Sequence, residues 1–345
     1  MLKNIFSKLN KGLGIDLGST KTMIYQEGRG ILVSESSVVA VNNRTDQILA
    51  VGDEARRMLG KTPPHIVASK PLEHGIIADF EVAEKMIKYF MSRVQAGRFS
   101  FSLRPRVVVG IPLDVTEVEK KAVEDVVVSA GSRTVFLVEN IMAAAVGARI
   151  PTQDPTGSMV VNLGGGLTEV AVISLDGIVN SKVSKVAGLT FDRDIIRFAQ
   201  EEFNLVLGDI VAEEIKKKIG AATELKEPMQ MEMRGRDVFS GLPREVVVTD
   251  AQIHSAIARS LHQILDTIKS TLETTPPELV ADIYQKGIIL TGGTSLLKEI
   301  DQFLFQNIQI PIHIADDPQT CTVRGLGLIL ENEMLLKDIE VLSTK

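Results

Sequence analysis

Asp16 stands two residues before Gly18-Ser19-Thr20-Lys21, and Asn162 stands two residues before Gly164-Gly165-Gly166. A tight turn of small residues lets successive backbone N–H groups point into one small volume, as phosphate binding requires. A carboxylate at the lip of such a turn, here Asp16, could hold a hydrated metal ion against that phosphate. One such turn is a weak signal, because Gly-Ser turns also close ordinary hairpins. The recurrence makes it strong. Residues 159–170 can be laid over residues 13 onward without a gap, so that Asn162-Leu163-Gly164 falls on Asp16-Leu17-Gly18 and Thr168 falls on Thr22. Strand-like runs flank both turns: Met23-Ile24-Tyr25 follows the first and Val170-Ala171-Val172-Ile173 the second. A third turn, Thr291-Gly292-Gly293-Thr294, follows the apolar run Ile288-Ile289-Leu290, at the strand C-terminus where α/β folds bind ligands. Three such turns point to a nucleotide cradled by backbone amides. No Gly-x-x-x-x-Gly-Lys-Ser/Thr is present, which excludes a P-loop NTPase, and no Gly-x-Gly-x-x-Gly follows a strand where a dinucleotide enzyme needs it.

The internal repeat is read as a duplicated domain. One half covers 12–150 and the other 151–345. Pro151, Asp154, Pro155 and Gly157 make the connection a linker. Strands alternate with helices, which indicates α/β layers. Helix starts are marked by two capping boxes, Thr116 with Glu119 and Thr249 with Gln252. An Ala-rich helix over 140–149 follows the strand 134–139, and Glu139, preceding Asn140 at the strand's end, should point away from it. Residues 225–248 read as a hairpin around Arg234-Gly235-Arg236, and 321–336 as one closing helix.

Composition narrows the classes. With 345 residues, 44% hydrophobic and 24% charged, the chain is an ordinary globular protein of about two domains. A net charge of −6, without basic runs interleaved with aromatics, argues against a nucleic-acid partner. The single Cys321 excludes an internal disulfide framework and fits a reducing cytosol. No signal peptide or transmembrane-length apolar run is visible.

Two segments carry a possible membrane contact. Leu2, Ile5, Phe6 and Leu9 share one helical face with lysines elsewhere on the wheel, which suits an interfacial helix over 1–11 as well as a terminus packed on the body. Phe99, Phe101 and Leu103 alternate with polar residues, as in a half-buried strand or a second membrane-dipping tip.

The motifs Asp-Leu-Gly-Ser-Thr-Lys-Thr, Asn-Leu-Gly-Gly-Gly-Leu-Thr and Leu-Thr-Gly-Gly-Thr resemble the first phosphate, second phosphate and adenosine motifs of actin-fold ATPases. Over nearly its whole length the chain is similar to the bacterial actins of the MreB family, further matches being Ile77-Ala78-Asp79-Phe80, Met142-Ala143-Ala144-Ala145 and Asp317-Pro318. The resemblance implies an actin-like α/β fold with two related domains, each with a small subdomain (about 31–75 in the first and about 187–248 in the second), and a nucleotide cleft between them. It implies ATP or ADP with Mg²⁺, homopolymeric filaments and a cytoplasmic place on the inner face of the cell membrane. Membrane proteins of a cell-shape complex are the implied partners. Carried over by position, Asp16 would hold the metal's water shell, and Gly18, Ser19, Thr20, Gly164, Gly165, Gly166 and Thr168 the phosphates. Glu213 and Lys216 would face the adenosine, with Gly188 near the ribose and Gly292, Gly293 and Thr294 under base and sugar. Without the resemblance, Glu213 and Lys216 read as a solvated i,i+3 ion pair.

Departures from the family pattern cluster at the chemistry. The family usually has Glu-Glu-Pro-Met where this chain has Glu139-Asn140-Ile141-Met142, an aspartate where it has Asn162, an asparagine where it has Lys21, and a polar residue after Gly188 where it has Leu189. Asn140 can orient an attacking water but cannot accept its proton, so Asn140, Asp16 and Asn162 form a catalytic set suited to slow hydrolysis. Two alternatives stay open: a normally active ATPase in which Glu139 or Glu169 substitutes, and a small-molecule kinase on the same fold, a fold also shared by DnaK-type chaperones and sugar kinases.

Overall fold

The computed structural model describes residues 11–95 and 104–341. In chain order the elements are β1 (Leu13–Leu17), β2 (Lys21–Gln26), β3 (Gly30–Ser36), β4 (Val39–Asn42), β5 (Gln47–Val51), α1 (Asp53–Met58), β6 (Ile66–Ser69), β7 (Leu72–Glu73), β8 (Ile76–Ile77), α2 (Phe80–Gln95), β9 (Arg106–Ile111), α3 (Glu117–Ser129), β10 (Thr134–Glu139) and α4 (Asn140–Gly147). They continue as β11 (Ser158–Leu163), β12 (Thr168–Ser174), β13 (Gly177–Ser184), α5 (Gly188–Phe203), β14 (Leu205–Val206), α6 (Asp209–Ile219), β15 (Gln230–Asp237), β16 (Pro243–Thr249), α7 (Asp250–Glu273), α8 (Pro277–Lys286), β17 (Ile288–Thr291), α9 (Ile300–Ile308), β18 (Ile312–Ile314), α10 (Cys321–Glu331) and α11 (Glu333–Ile339).

The repeat in the sequence returns as a repeat of sheet plan. One five-stranded sheet runs β10-β9-β1-β2-β3, and the other, read the same way, runs β18-β17-β11-β12-β13. In the first, β9 is parallel to both β1 and β10. In the second, β17 is parallel to both β11 and β18. The strand after each turn, β2 or β12, takes the other side of the central strand. Every residue of β11 and β12 is buried, as expected of a sheet covered on both faces. Ile15, Met86, Phe90 and Val109 centre one core, and Val161, Phe191, Ile257 and Leu290 the other. Each such side chain contributes about 1.5–3 kcal/mol by leaving water.

The chain divides into two compact units. One comprises the described parts of Met1–Pro155, Ile173–Ile178 and Gln319–Lys345; the other comprises Thr156–Val172 and Val179–Pro318. Residues from 319 onward therefore belong with the first half, where a continuous second domain over 151–345 was expected. The cause is backbone packing of α10 on α4. A Cβ on Gly147 would overlap the Cys321 carbonyl, and one on Gly325 would overlap the Ala143 carbonyl, so glycine at both positions allows the helices to touch along their backbones.

Both capping boxes form as expected, at Thr116 and Thr249. Three local readings are corrected. The closing helix is two helices, because the Asn332 side chain accepts from the N–H groups of Met334 and Leu335 and starts a new one. Gly235 lies within β15, opposite Arg244, rather than at a hairpin tip. The turn falls at 238–242, where the Asp237 carboxylate accepts from Phe239 N and from both Ser240 N and Oγ. Asn140 opens α4 as the sequence predicts, and for that reason strand alternation does not fix the direction of Glu139 relative to it. Leu2, Ile5, Phe6, Leu9, Phe99, Phe101 and Leu103 lie outside the described residues.

Candidate functional site

In the first unit the turn after β1 is locked by its neighbours. A Cβ on Gly18 would fall 2.6 Å from the Lys21 carbonyl oxygen, so the turn closes only with glycine there. The Ser37 hydroxyl donates to the Gly18 carbonyl at 2.6 Å, and Ser37 N donates to the Thr20 carbonyl at 3.0 Å. With that proton committed, the Ser37 oxygen accepts from Thr22 Oγ1, 2.9 Å away. Ser19 Oγ accepts from Gly75 N at 2.8 Å. These bonds leave the turn little freedom. Ser37 and Gly75 were not expected here, and no spacing or motif in the sequence ties either to residue 18.

Asp16 sits near the end of β1, and desolvation pushes its carboxyl up from 3.8 to about 7. A carboxylate in that state favours a cation beside it. Among the described residues there is no group of three or more His, Cys, Asp or Glu side chains arranged to hold a metal. A Mg²⁺ ion at Asp16 would thus take its remaining ligands from water and phosphate oxygens, a donor set that suits it. Asn140 Oδ1 is buried and has no hydrogen-bond partner. The Glu139 carboxyl is pushed up by burial, an effect that the charge of Lys120 opposes. Lys21 is exposed at the start of β2. The Asp53 carboxyl is held down first by the Ser36 hydroxyl and, more weakly, by the charge of Lys21.

The second unit repeats the turn and adds more bonds to it. Gly164 N donates to the Leu167 carbonyl at 2.9 Å, and a Cβ on Gly164 would fall 2.9 Å from that oxygen, as Gly18 relates to Lys21. The Gly164 carbonyl accepts from Gly188 N at 3.2 Å and from Thr294 Oγ1 at 2.7 Å. Leu189 N donates to the Gly165 carbonyl at 2.8 Å, and Thr168 Oγ1 to the Val186 carbonyl at 2.7 Å. A Cβ on Gly188 would fall 2.6 Å from Thr294 Oγ1. Gly292 has φ +84°, and a Cβ there would fall 2.7 Å from Asn162 Oδ1. Gly293 opens the short 3₁₀ turn that carries Thr294. The structure thus brings Asn162, Gly164, Gly165, Thr168, Gly188, Gly292, Gly293 and Thr294 into one stitched cluster, with Gly166 completing the turn.

Asn162 is bound on both sides of its carboxamide. Its Nδ2 donates to Glu169 Oε2 at 3.1 Å, and its Oδ1 accepts from Thr291 Oγ1 at 3.3 Å. An aspartate here would set two buried carboxylates against each other and require a proton between them. The Lys216 ammonium lies 2.7 Å from Asp192 Oδ1 and donates to the Gly188 carbonyl at 2.7 Å. Asp192 was missed in the sequence because nothing in its spacing marks it. The i,i+3 pairing of Glu213 with Lys216 is overturned: Glu213 pairs with Lys217, one full turn on.

These turns, the duplicated sheet and the order of its strands define an actin-like protein. A family model described as MreB/Mbl protein matches residues 10–338. Mbl, the cell shape-determining protein of Bacillus subtilis (strain 168), is 41% identical over 323 residues, covering 93% of this chain and 96% of the relative. MreB, the cell shape-determining protein of Escherichia coli (strain K12), is 42% identical over 335 residues, covering 96% of each. Among solved structures, MreB5 of Spiroplasma citri bound to ADP superposes with a TM-score of 0.90 at 34% identity, covering 96% of this chain and 98% of that one. A MamK double helical filament shares the fold, with a TM-score of 0.79 at 20% identity over 93% of this chain and 99% of that one. The chain belongs to the MreB/Mbl family.

Asp16 yields a pH-dependent prediction. A carboxyl raised to about 7 when folded, against 3.8 ordinarily, binds its proton more tightly in the folded state. Its contribution to stability is therefore full below about pH 4 and lost as pH rises to about 7. In nucleotide-free, metal-free protein, Asp16→Asn should raise the melting temperature by several degrees at pH 8 and much less at pH 4.5, read by scanning calorimetry. An equal shift at both pH values contradicts the burial argument.

Proposed function

We propose that this chain binds an adenine nucleotide and assembles with copies of itself into filaments that support cell shape and the placing of wall synthesis. The carrying observation is the pair of equivalent turns, Gly18–Lys21 and Gly164–Leu167, each closed by a glycine against the carbonyl three residues on. Support for the nucleotide comes from the family: MreB5 of Spiroplasma citri has been solved with ADP and with AMPPNP. The backbone N–H groups of each turn are suited to a phosphate. Asp16 is the residue that would hold Mg²⁺ through water, and the ion would supply charge neutralisation at the phosphates. The stitched Gly188, Gly292 and Thr294 turns receive the nucleoside, and Lys216 fixes the Gly188 turn through its bond to the carbonyl.

Hydrolysis on this reading is slow. Asn140 can hold a water by hydrogen bonding but offers no basic oxygen to take its proton, and loss of a general base costs about 10²–10⁴ in rate. Asn162 adds no charge, and both ends of its carboxamide are occupied by Glu169 and Thr291. A second reading, a normally turning-over filament, is favoured by one observation: Glu139, beside Asn140, carries a carboxyl raised by burial, as a general base near neutral pH needs.

Single-turnover release of phosphate from ATP separates the two. Asn140→Glu should raise the rate about tenfold or more, with Glu139→Gln nearly silent. A silent Asn140→Glu together with a rate collapse in Glu139→Gln would establish the second reading instead. Membrane attachment is proposed through Leu2, Ile5, Phe6 and Leu9, with Phe99, Phe101 and Leu103 cooperating. Deleting residues 1–11 should sharply reduce co-sedimentation with anionic liposomes, and equal pelleting of the two proteins rules out that segment as the anchor.

A further inference from the structure

We propose that Gly110 is a positioning residue of the first half-site: by carrying no side chain, it leaves the room in which the Asn140 carboxamide lies beside Asp16. The proposal rests on the nucleotide reading above. β1 and β9 run parallel with Asp16 opposite Gly110, so the Asp16 side chain and the missing Gly110 side chain belong to the same face of the sheet. β9 and β10 are also parallel, with Glu139 opposite Ile111, which delivers Asn140 just beyond the end of β9. A Cβ on Gly110 would overlap Asn140 Oδ1 and fall 3.3 Å from Asn140 Cγ. The carboxamide thus fills the place of the absent side chain.

The other half of the chain shows what the same position does when it carries a side chain. There the equivalent register sets Asn162 opposite Thr291, and the Thr291 hydroxyl donates to Asn162 Oδ1 at 3.3 Å. The carboxamide of Asn162 is held by that bond and by Glu169. Asn140 has no such restraint, since its buried Oδ1 has no hydrogen-bond partner. Gly110 is also not among the residues with positive φ, so backbone conformation does not require glycine there; room for Asn140 does. The helix start fixes the backbone of Asn140, so a Cβ on Gly110 would be relieved by turning the carboxamide out of its place.

The test is a double-mutant cycle on the full chain: native, Gly110→Ala, Asn140→Ala and both together. Three quantities are read: ADP affinity by titration, single-turnover phosphate release from Mg-ATP, and melting temperature. Gly110→Ala should slow phosphate release about tenfold while ADP affinity changes by less than about threefold. In the Asn140→Ala background the same change should alter neither rate nor melting temperature, because no carboxamide remains to be displaced. Additive effects in the double variant, a native rate in Gly110→Ala, or no turnover by the native chain overturns the proposal. A native chain that does not bind ADP overturns the nucleotide reading, whereas ADP binding without coupling between the two positions overturns only the role of Gly110.

Discussion

One carbonyl oxygen, that of Gly164, organises the second half-site. It accepts from Gly188 N and Thr294 Oγ1, and so joins three turns that lie far apart in the chain. The junction is crowded enough that side chains are excluded around it: a Cβ on Gly164, Gly188 or Gly292 would fall on a neighbouring oxygen. The glycines there are consequences of close approach as much as of turn conformation. A phosphate-binding surface made of backbone needs this crowding, because amides converge only where no side chain intervenes. The first half-site reaches the same end by a different bond, with the Ser37 hydroxyl on the Gly18 carbonyl doing what Thr294 does for Gly164.

Electrostatics distinguishes the two half-sites. Asp16 keeps a carboxyl that desolvation raises to about 7, a group in want of a cation. At the equivalent position the carboxamide of Asn162 is neutral and saturated, and it shields the buried Glu169 from a second negative charge. The substitution thus has a structural logic within β11, β12 and β17 that does not depend on hydrolysis. Asn140 differs again: its carboxamide lies where a Cβ on Gly110 would fall, and its buried Oδ1 has no partner among protein atoms. On the proposed reading, this pattern would suit retaining nucleotide over cleaving it.

Much of the fold was legible in the residues because the repeat preserved both turn and flanking strands, whereas the order of the strands in the two sheets rests on pairings between distant segments. The capping boxes at Thr116 and Thr249 carry their own hydrogen bonds in sequence, so they were legible too. What escaped depends on contacts between distant residues. Ser37, Gly75 and Asp192 have no spacing relation to the turns they hold. The return of 319–341 to the first unit rests on Gly147 and Gly325, whose value appears only when α4 and α10 meet. The pairing of Lys216 with Asp192 rather than Glu213 likewise follows from the packing of α5 and α6, which helical spacing alone does not reveal.

The most direct measurement is the identity and amount of nucleotide that the purified chain retains. Protein purified in the presence of Mg²⁺ and ATP, stripped of free nucleotide and then denatured, should release about one adenine nucleotide per chain on chromatography, consistent with a preformed site whose bound ligand stabilises the fold. A chain that releases none, and takes up neither ADP nor ATP when they are added, would contradict the account at its centre.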